Sequence, residues 1–148
     1  MGAYHITLLA LFLASTDALV VEITPCGDAS VCEVSEVRIE PCNNAKKCAL
    51  TKGKDATISF DFTPKFDASK LKTKVFWDNG IKEIPFEGMG SDVGCEYTSC
   101  PITSGNTQTL VYTLQLAKSL PKGSYPIKWR LWNEDDDTKV CCFKTHIQ

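Results

Sequence analysis

Apolar and polar residues alternate along most of this chain, which is the pattern of half-buried β-strands. Turn-forming residues at 52–55, 78–80 and 121–123 separate the alternating segments, and no helical period is convincing. The spacing therefore predicts an all-β fold, a β-sandwich of short strands. The residues predicted to point inward are Val37 and Ile39; Ile58, Phe60 and Phe62; Val75 and Trp77; Leu110, Tyr112, Leu114 and Leu116; Ile127, Trp129 and Leu131; and Phe143 and Ile147.

Two local signals refine this prediction. Asn79-Gly80 predicts a hairpin after the strand that contains Val75 and Trp77. The inward faces are also unusually aromatic, and an alternating pattern is the same whether two sheets enclose a filled core or an apolar cavity. Periodicity alone favours the filled core.

The N-terminal residues 1–18 are not expected to belong to the fold. Residues 6–14 form a nearly unbroken apolar run, and Thr16 and Ala18 place small residues before a cleavage site. This is the pattern of a secretory signal peptide, although it has no lysine or arginine at its start. We expect cleavage after Ala18, leaving residues 19–148 as one soluble, secreted domain.

Charge and cysteine content narrow the class of protein. The net charge is −2 and the basic residues are dispersed along the sequence, so neither nucleic acid nor a charged membrane surface is indicated. Eight cysteines are present, an even number that suits an oxidising compartment. Zinc ribbons usually use Cys-x2-Cys pairs, so the wider spacings Cys42–Cys48 and Cys95–Cys100 favour disulfide-closed loops over metal.

A catalytic or metal-dependent function is not expected. His146 is the one histidine after residue 18 and falls on the polar face of its strand, so no base is available for a hydroxyl or thiol nucleophile. The acidic run 134–137 lacks the spacing of a calcium loop and predicts a solvated turn. We expect no enzyme activity, no metal and no cofactor.

Several landmarks together resemble the ML lipid-recognition family, in particular the secreted Niemann–Pick type C sterol carriers of arthropods and the related group-two mite allergens. The resemblance covers the chain after the signal peptide. The landmarks are Cys26-Gly27-Asp28, residues 36–42, residues 48–53, Cys95 with Cys100-Pro101-Ile102, Trp129-Arg130-Leu131 and Cys142-Phe143.

This resemblance implies an immunoglobulin-like β-sandwich of two antiparallel sheets with an apolar lipid cavity between them. In the family an aromatic residue after a proline guards the mouth of the cavity, and Phe86 matches that place. The residues that the resemblance and face parity assign to lipid binding are Phe60, Phe62, Val75, Phe86, Tyr112, Leu114, Trp129, Leu131 and Phe143.

The resemblance also implies three disulfides: Cys42–Cys48, Cys95–Cys100, and Cys26 with a cysteine of the last strand. Cys142-Phe143 resembles the family's Cys-Phe motif, which favours Cys26–Cys142 and leaves Cys32–Cys141 as a fourth bridge. The swapped pairing is nearly as favourable, and free thiols are a third alternative.

The function implied is carriage of a sterol or fatty-acid-like lipid by a monomer, with membrane or receptor contact during lipid transfer and an extracellular, lysosomal or endosomal location. Two other classes stay open at this point. One is innate immune recognition of a bacterial lipid such as lipopolysaccharide with a receptor partner. The other is a disulfide-stapled extracellular structural domain that binds no ligand.

Overall fold

A computed structural model describes residues 18–86 and 88–148, so the predicted signal peptide lies almost entirely outside the described residues. The described chain contains nine strands and one short 3-10 helix at Gly94–Glu96. The strands are β1 Leu19–Val20, β2 Thr24–Pro25, β3 Cys32–Glu40, β4 Asp55–Pro64, β5 Leu71–Asp78, β6 Glu83–Pro85, β7 Gln108–Gln115, β8 Tyr125–Asn133 and β9 Asp136–Ile147.

The strands form two antiparallel sheets packed face to face. One sheet has the order β1-β3-β4-β7 and the other the order β2-β9-β8-β5-β6. The predicted all-β sandwich is thereby confirmed. No helix within the described ranges is long and apolar enough to cross a membrane.

The inward faces follow the predicted alternation. Ile58, Phe60 and Phe62 of β4 are buried, while their neighbours in sequence are only half-buried, because successive side chains of a strand point to opposite faces. The same holds along β7 and β8. Trp77 is the exception among the predicted inward residues, since it lies at the end of β5 and is only half-buried.

The Asn79-Gly80 signal marks the predicted hairpin, between β5 and β6. Asp78 pairs with Glu83, so the connecting loop is residues 79–82. Gly80 has φ +84°, a left-handed conformation that a residue without Cβ adopts at no steric cost. Asn79 Oδ1 accepts the backbone N–H groups of Ile81 and Lys82 at 3.0 and 2.9 Å, which fixes the shape of the loop.

Four disulfides join strands and loops, and every cysteine is paired. Cys32–Cys141 links β3 of one sheet to β9 of the other, and Cys26–Cys142 holds β2 against β9. The inward side chain of Cys141 and the outward one of Cys142 explain how adjacent residues serve two different bridges. Cys42–Cys48 and Cys95–Cys100 close short loops. This pairing is the favoured one, not the swapped alternative.

The outer face of the four-stranded sheet carries a polar network centred on Asp61. Arg38 donates from both terminal nitrogens to the two carboxylate oxygens, at 2.8 and 3.0 Å, and also contacts Glu36 at 2.7 Å. Thr109 Oγ1 donates to Asp61 at 2.6 Å. The hydrogen bonds from Arg38 and then Thr109 lower the pKa of Asp61 to about 2, because they favour the ionised carboxylate.

Three loops lie at the same end of the sandwich because of the directions in which the strands run. We call this end the pocket end. β3, β5, β7 and β9 finish there, while β4 and β8 begin there. The pocket end therefore contains residues 41–54, 79–82 and 116–124. The functional candidates below lie between this end and the centre of the sandwich.

Candidate functional site

Aromatic side chains fill the centre of the space between the sheets. The ring of Phe60 contacts those of Phe62, Trp129 and Phe143, with centroid distances of 6.0, 5.7 and 5.1 Å. Trp129 and Phe143, which are neighbours on β8 and β9, stack with their ring planes 8° apart. All four residues are almost fully buried. The geometry is that of a packed aromatic cluster.

The polar side-chain atoms of Trp129 and Thr73, in this cluster and beside it, have partners. Trp129 Nε1 donates to Thr73 Oγ1 at 2.8 Å, and Thr73 Oγ1 donates to the carbonyl of Arg130 at 3.0 Å. Because a buried polar group without a partner is costly, this chain of bonds fixes the indole in one orientation. Thr73 was not among the predicted inward residues, since a threonine in an alternating segment carries no apolar signal.

Two tyrosines tie the segment after β6 to this cluster. The Tyr112 ring contacts Trp129 at 5.6 Å and Tyr97 at 4.5 Å between centroids. The Tyr112 hydroxyl accepts the N–H of Gly90 at 2.7 Å, and the Tyr97 hydroxyl donates to the carbonyl of Ser91 at 3.1 Å. Burial is the main cause that raises the pKa of Tyr97, so the Tyr97 hydroxyl acts as a neutral hydrogen-bonding group.

The described residues also form a pocket of about 730 Å³ at the pocket end. Its apolar walls come from the 49–52 segment, the connection after β7, and the ends of β8 and β9. The residues around it are Lys47, Ala49, Leu50, Thr51, Lys52, Phe86, Leu116, Leu120, Pro121, Lys122, Gly123, Ser124, Tyr125, Ile147 and Gln148. The volume lies within the range of about 300–1,000 Å³ that is usual for small-molecule sites.

The structure distributes the nine predicted lipid-binding residues unevenly. All nine are buried, but only Phe86 lines this pocket. The other eight pack against one another and against the core between the sheets. The sequence prediction selected residues by their alternation along each strand. Alternation shows which side chains face the interior, but it does not distinguish the packed centre of the sandwich from its open end.

Most residues of the pocket wall were absent from the predicted site. Leu116 and Ile147 were predicted to point inward but were not assigned to lipid binding. Leu50 and Leu120 lie in connections where no period exists to detect them. The available signal for these two was their position as large apolar residues within loops that are mostly polar or small.

Phe86 is also the wall of a second pocket. This smaller space, about 370 Å³, is lined by Lys74, Pro85, Phe86, Met89, Gly90, Ser91 and Asp92. The N–H of Phe86 donates to the carbonyl of Val75 at 2.9 Å, which anchors its backbone to β5. Phe86 therefore contributes to the walls of both pockets.

The charged side chains that are described around the larger pocket are all positive. Lys47, Lys52 and Lys122 line it, and no other charged side chain does among the residues that the structure describes. Beside it, the Trp77 ring contacts the Tyr125 ring at 6.4 Å between centroids. The Trp77 indole N–H is buried and has no hydrogen-bond partner within the described structure. Within the described ranges no group of three or more side chains could hold a metal ion.

An apolar pocket at the open end of a two-sheet sandwich is the arrangement of a ligand-binding β-sandwich. Residues 20–148 match the family model described as the ML domain. The chain belongs to the ML-domain family, as the sequence landmarks indicated.

Individual relatives agree with this assignment. An MD-2-related lipid-recognition protein of Manduca sexta is 46% identical over 151 residues, covering 100% of this chain and 98% of the relative. The NPC intracellular cholesterol transporter 2 homolog a of Drosophila melanogaster is 27% identical over 143 residues, covering 95% of each chain. The crystal structure of a Niemann-Pick type C2 protein from Japanese carpenter ant superposes with a TM-score of 0.72 at 23% identity, covering 86% of this chain and 99% of that one. The last comparison supports the fold.

Proposed function

We propose that this protein binds and carries a sterol or a fatty-acid-like lipid, secreted into an extracellular fluid or delivered to an endosomal or lysosomal lumen. The observation that carries the proposal is the apolar pocket of about 730 Å³ at the pocket end, in a chain of the ML-domain family. The lipid-recognition protein of Manduca and the cholesterol transporter homolog of Drosophila support the chemical class of the ligand. The four disulfides suit an oxidising compartment.

The pocket residues are proposed to contact the apolar part of the lipid. Leu50, Leu116, Leu120 and Ile147 supply aliphatic walls, and Phe86 supplies an aromatic one. Burying about 400 Å² of apolar lipid surface contributes roughly 10 kcal/mol before the cost of association is subtracted. The remainder corresponds to an affinity in the micromolar range, which allows a carrier to release its ligand.

For the eight predicted residues that lie outside the pocket, lipid contact stays a prediction. A lipid tail that contacts these residues must separate part of the cluster formed by Phe60, Trp129 and Phe143. Such a movement replaces ring contacts with lipid contacts of similar apolar character, so its cost is set mainly by shape complementarity.

The experiment is a titration of delipidated protein with a radiolabelled sterol and, separately, with a long-chain fatty acid. Phe86→Ala and Leu120→Ser each remove part of the pocket wall, and we expect each to weaken binding about tenfold. Val111→Ala is the matched control, because Val111 is half exposed on the outer face of β7. Circular dichroism establishes that each variant is folded. Unchanged affinity in both folded pocket variants contradicts the proposed site.

A second candidate is recognition of a bacterial lipid with an anionic head group. The specific observation in its favour is the set of three lysines, Lys47, Lys52 and Lys122, around a pocket that has no acidic side chain among its described lining residues. Competition decides between the two: if lipopolysaccharide displaces bound sterol and fatty acid at lower concentration than either displaces it, the second candidate is the better account.

A further inference from the structure

A methionine side chain takes a backbone position at the edge of the five-stranded sheet. β6 covers only the end of β5, and the chain after β6 continues along the rest of that edge. The Phe86 N–H donates to the carbonyl of Val75, and the Thr73 N–H donates to the carbonyl of Asp92, both at 2.9 Å. Between these two bonds, the Val75 N–H donates to Met89 Sδ at 3.3 Å. A thioether therefore stands where a carbonyl stands elsewhere in the ladder.

This N–H to sulfur bond is a weak point of the sheet edge. A thioether sulfur is a weak acceptor. Val75 is 0% exposed, so its N–H has no access to water while residues 88–92 stay in place. A buried N–H that loses its acceptor costs more free energy than the bond itself contributes. The position of residues 88–92 against β5 therefore depends on the sulfur of Met89 remaining an acceptor.

Met89 is also accessible to small oxidants. Its side chain is half-buried and lines the second pocket, which has a volume of about 370 Å³. Hydrogen peroxide needs little more room than a water molecule, about 30 Å³, so the pocket admits it. Among the described lining residues only Met89 contains sulfur, and it is the one methionine after residue 18. A peroxide in this pocket therefore meets a single thioether.

The hydrogen bond leaves one side of the sulfur open to attack. A thioether sulfur has two lone pairs, and one of them accepts the Val75 N–H. An oxidant therefore attacks the other lone pair, and the product is one of the two possible sulfoxide epimers. A methionine on an exposed, freely rotating side chain has no such protection and gives both epimers. The geometry thus predicts a stereochemical signature for oxidation at this position.

We propose that Met89 is a peroxide-dependent modification site that controls how tightly residues 88–92 are held to β5. The sulfur gives an electron pair to one peroxide oxygen, so that an S–O bond forms while the O–O bond breaks. The proton of the transferred oxygen passes to the other oxygen, which leaves as water, or as an alcohol when the oxidant is an organic hydroperoxide. The sulfur is oxidised to a sulfoxide and the peroxide is reduced. The sulfoxide sulfur carries partial positive charge and no longer accepts the Val75 N–H.

Release of residues 88–92 affects the larger pocket through Phe86. This residue lines both pockets, and its N–H bonds to Val75, the same residue whose N–H is held by Met89. The sulfoxide form should therefore bind lipid more weakly than the thioether form, an effect that rests on the proposed function. Reduction by a methionine sulfoxide reductase returns the thioether and restores the bond.

The first experiment treats the folded, disulfide-bonded protein with hydrogen peroxide and locates the added oxygen by peptide mass spectrometry. We expect a gain of about 16 Da, one oxygen atom, in the peptide that contains Met89. The two methionine sulfoxide reductases each act on one epimer, so one of them should reduce nearly all of the product and the other almost none. An unmodified Met89, or equal reduction by the two enzymes, overturns the proposal.

The second experiment measures the release of residues 88–92 by amide hydrogen exchange in NMR spectra. We expect the amides of Val75 and Gly90 to exchange about fivefold faster in the sulfoxide form, the factor expected when a typical hydrogen bond is lost. The amide of Val37, in the other sheet, is the internal control and should not change. Met89→Leu keeps the apolar volume but lacks the acceptor, so it should exchange fast without peroxide and show no response to it. Unchanged exchange at Val75 after oxidation overturns the proposal.

Lipid titration of the thioether and sulfoxide forms separates this proposal from the proposed function. We expect the sulfoxide form to bind roughly fivefold more weakly, by the same factor as the amide exchange. A thioether form that binds no lipid refutes the proposed function, while the exchange experiment still decides the role of Met89. A protein that binds lipid, with affinity and exchange both unchanged by oxidation, refutes the modification site alone.

Discussion

Replacement of Phe60 by alanine tests whether the centre of the sandwich is a packed core. Phe60 is 1% exposed and its ring contacts three other aromatic rings at 5.1–6.0 Å. Removing a buried phenylalanine from a close-packed interior costs about 3–5 kcal/mol, since the lost transfer energy adds to the cost of the cavity left behind. We therefore expect Phe60→Ala to lower the free energy of unfolding by about that amount.

The assay is guanidinium denaturation of the oxidised protein followed by tryptophan fluorescence, which reports on Trp129 within the cluster together with Trp77 and Trp132. The matched control is Phe76→Ala, because Phe76 is half-buried on the outward face of β5. We expect the control to cost about 1 kcal/mol. If Phe60→Ala lowers the free energy of unfolding by less than about 1 kcal/mol, the centre of the sandwich is loosely filled. That result would refute the argument that the eight predicted lipid-binding residues other than Phe86 form a packed core.

Three further predictions follow from other contacts. Arg38 lowers the pKa of Asp61 to about 2 in the folded protein, below the value near 4 of an aspartate in the unfolded chain. The ionised carboxylate therefore stabilises the fold above about pH 4, and this stabilisation is lost as the pH falls toward 2. Asp61→Asn should flatten the acid side of the stability–pH curve between those values, and an unchanged curve contradicts the role of the Arg38–Asp61 pair. Removing the bridge between the sheets by Cys32→Ala with Cys141→Ala should cost about 2–5 kcal/mol in thermal or chemical unfolding, and no loss would show that packing alone holds the sheets. Tyr112→Phe should accelerate hydrogen exchange of the 88–92 segment, since the bond to the loop backbone is lost, and unaltered exchange argues against that anchor.

The strands were predictable from the sequence because burial has a period of two along each of them. Phe60, Tyr112 and Trp129 all lie on the inward face that their alternation indicates. The hairpin after Asp78 was predictable as well, since Asn-Gly is favoured in such turns. These are local signals, in which the neighbours of a residue in the sequence are sufficient to indicate its environment.

The pocket was not predictable in the same way. Leu50 and Leu120 come from two loops that are far apart in the sequence, and they meet only because β4 and β7 are antiparallel neighbours whose ends coincide. The grouping of Lys47, Lys52 and Lys122 around the pocket has the same origin. Net charge and residue order contain no information on which loops share an end of a sandwich, so strand topology had to be known first.

Native mass spectrometry of the secreted, oxidised protein, followed by organic extraction and identification of the lipid, tests the central claim most directly. The account predicts one sterol or fatty-acid-like lipid per chain, retained in the gas phase and released on extraction. A protein that is isolated empty, and that stays empty after incubation with sterols and fatty acids, would contradict the carrier function and favour a stapled structural domain with a filled core.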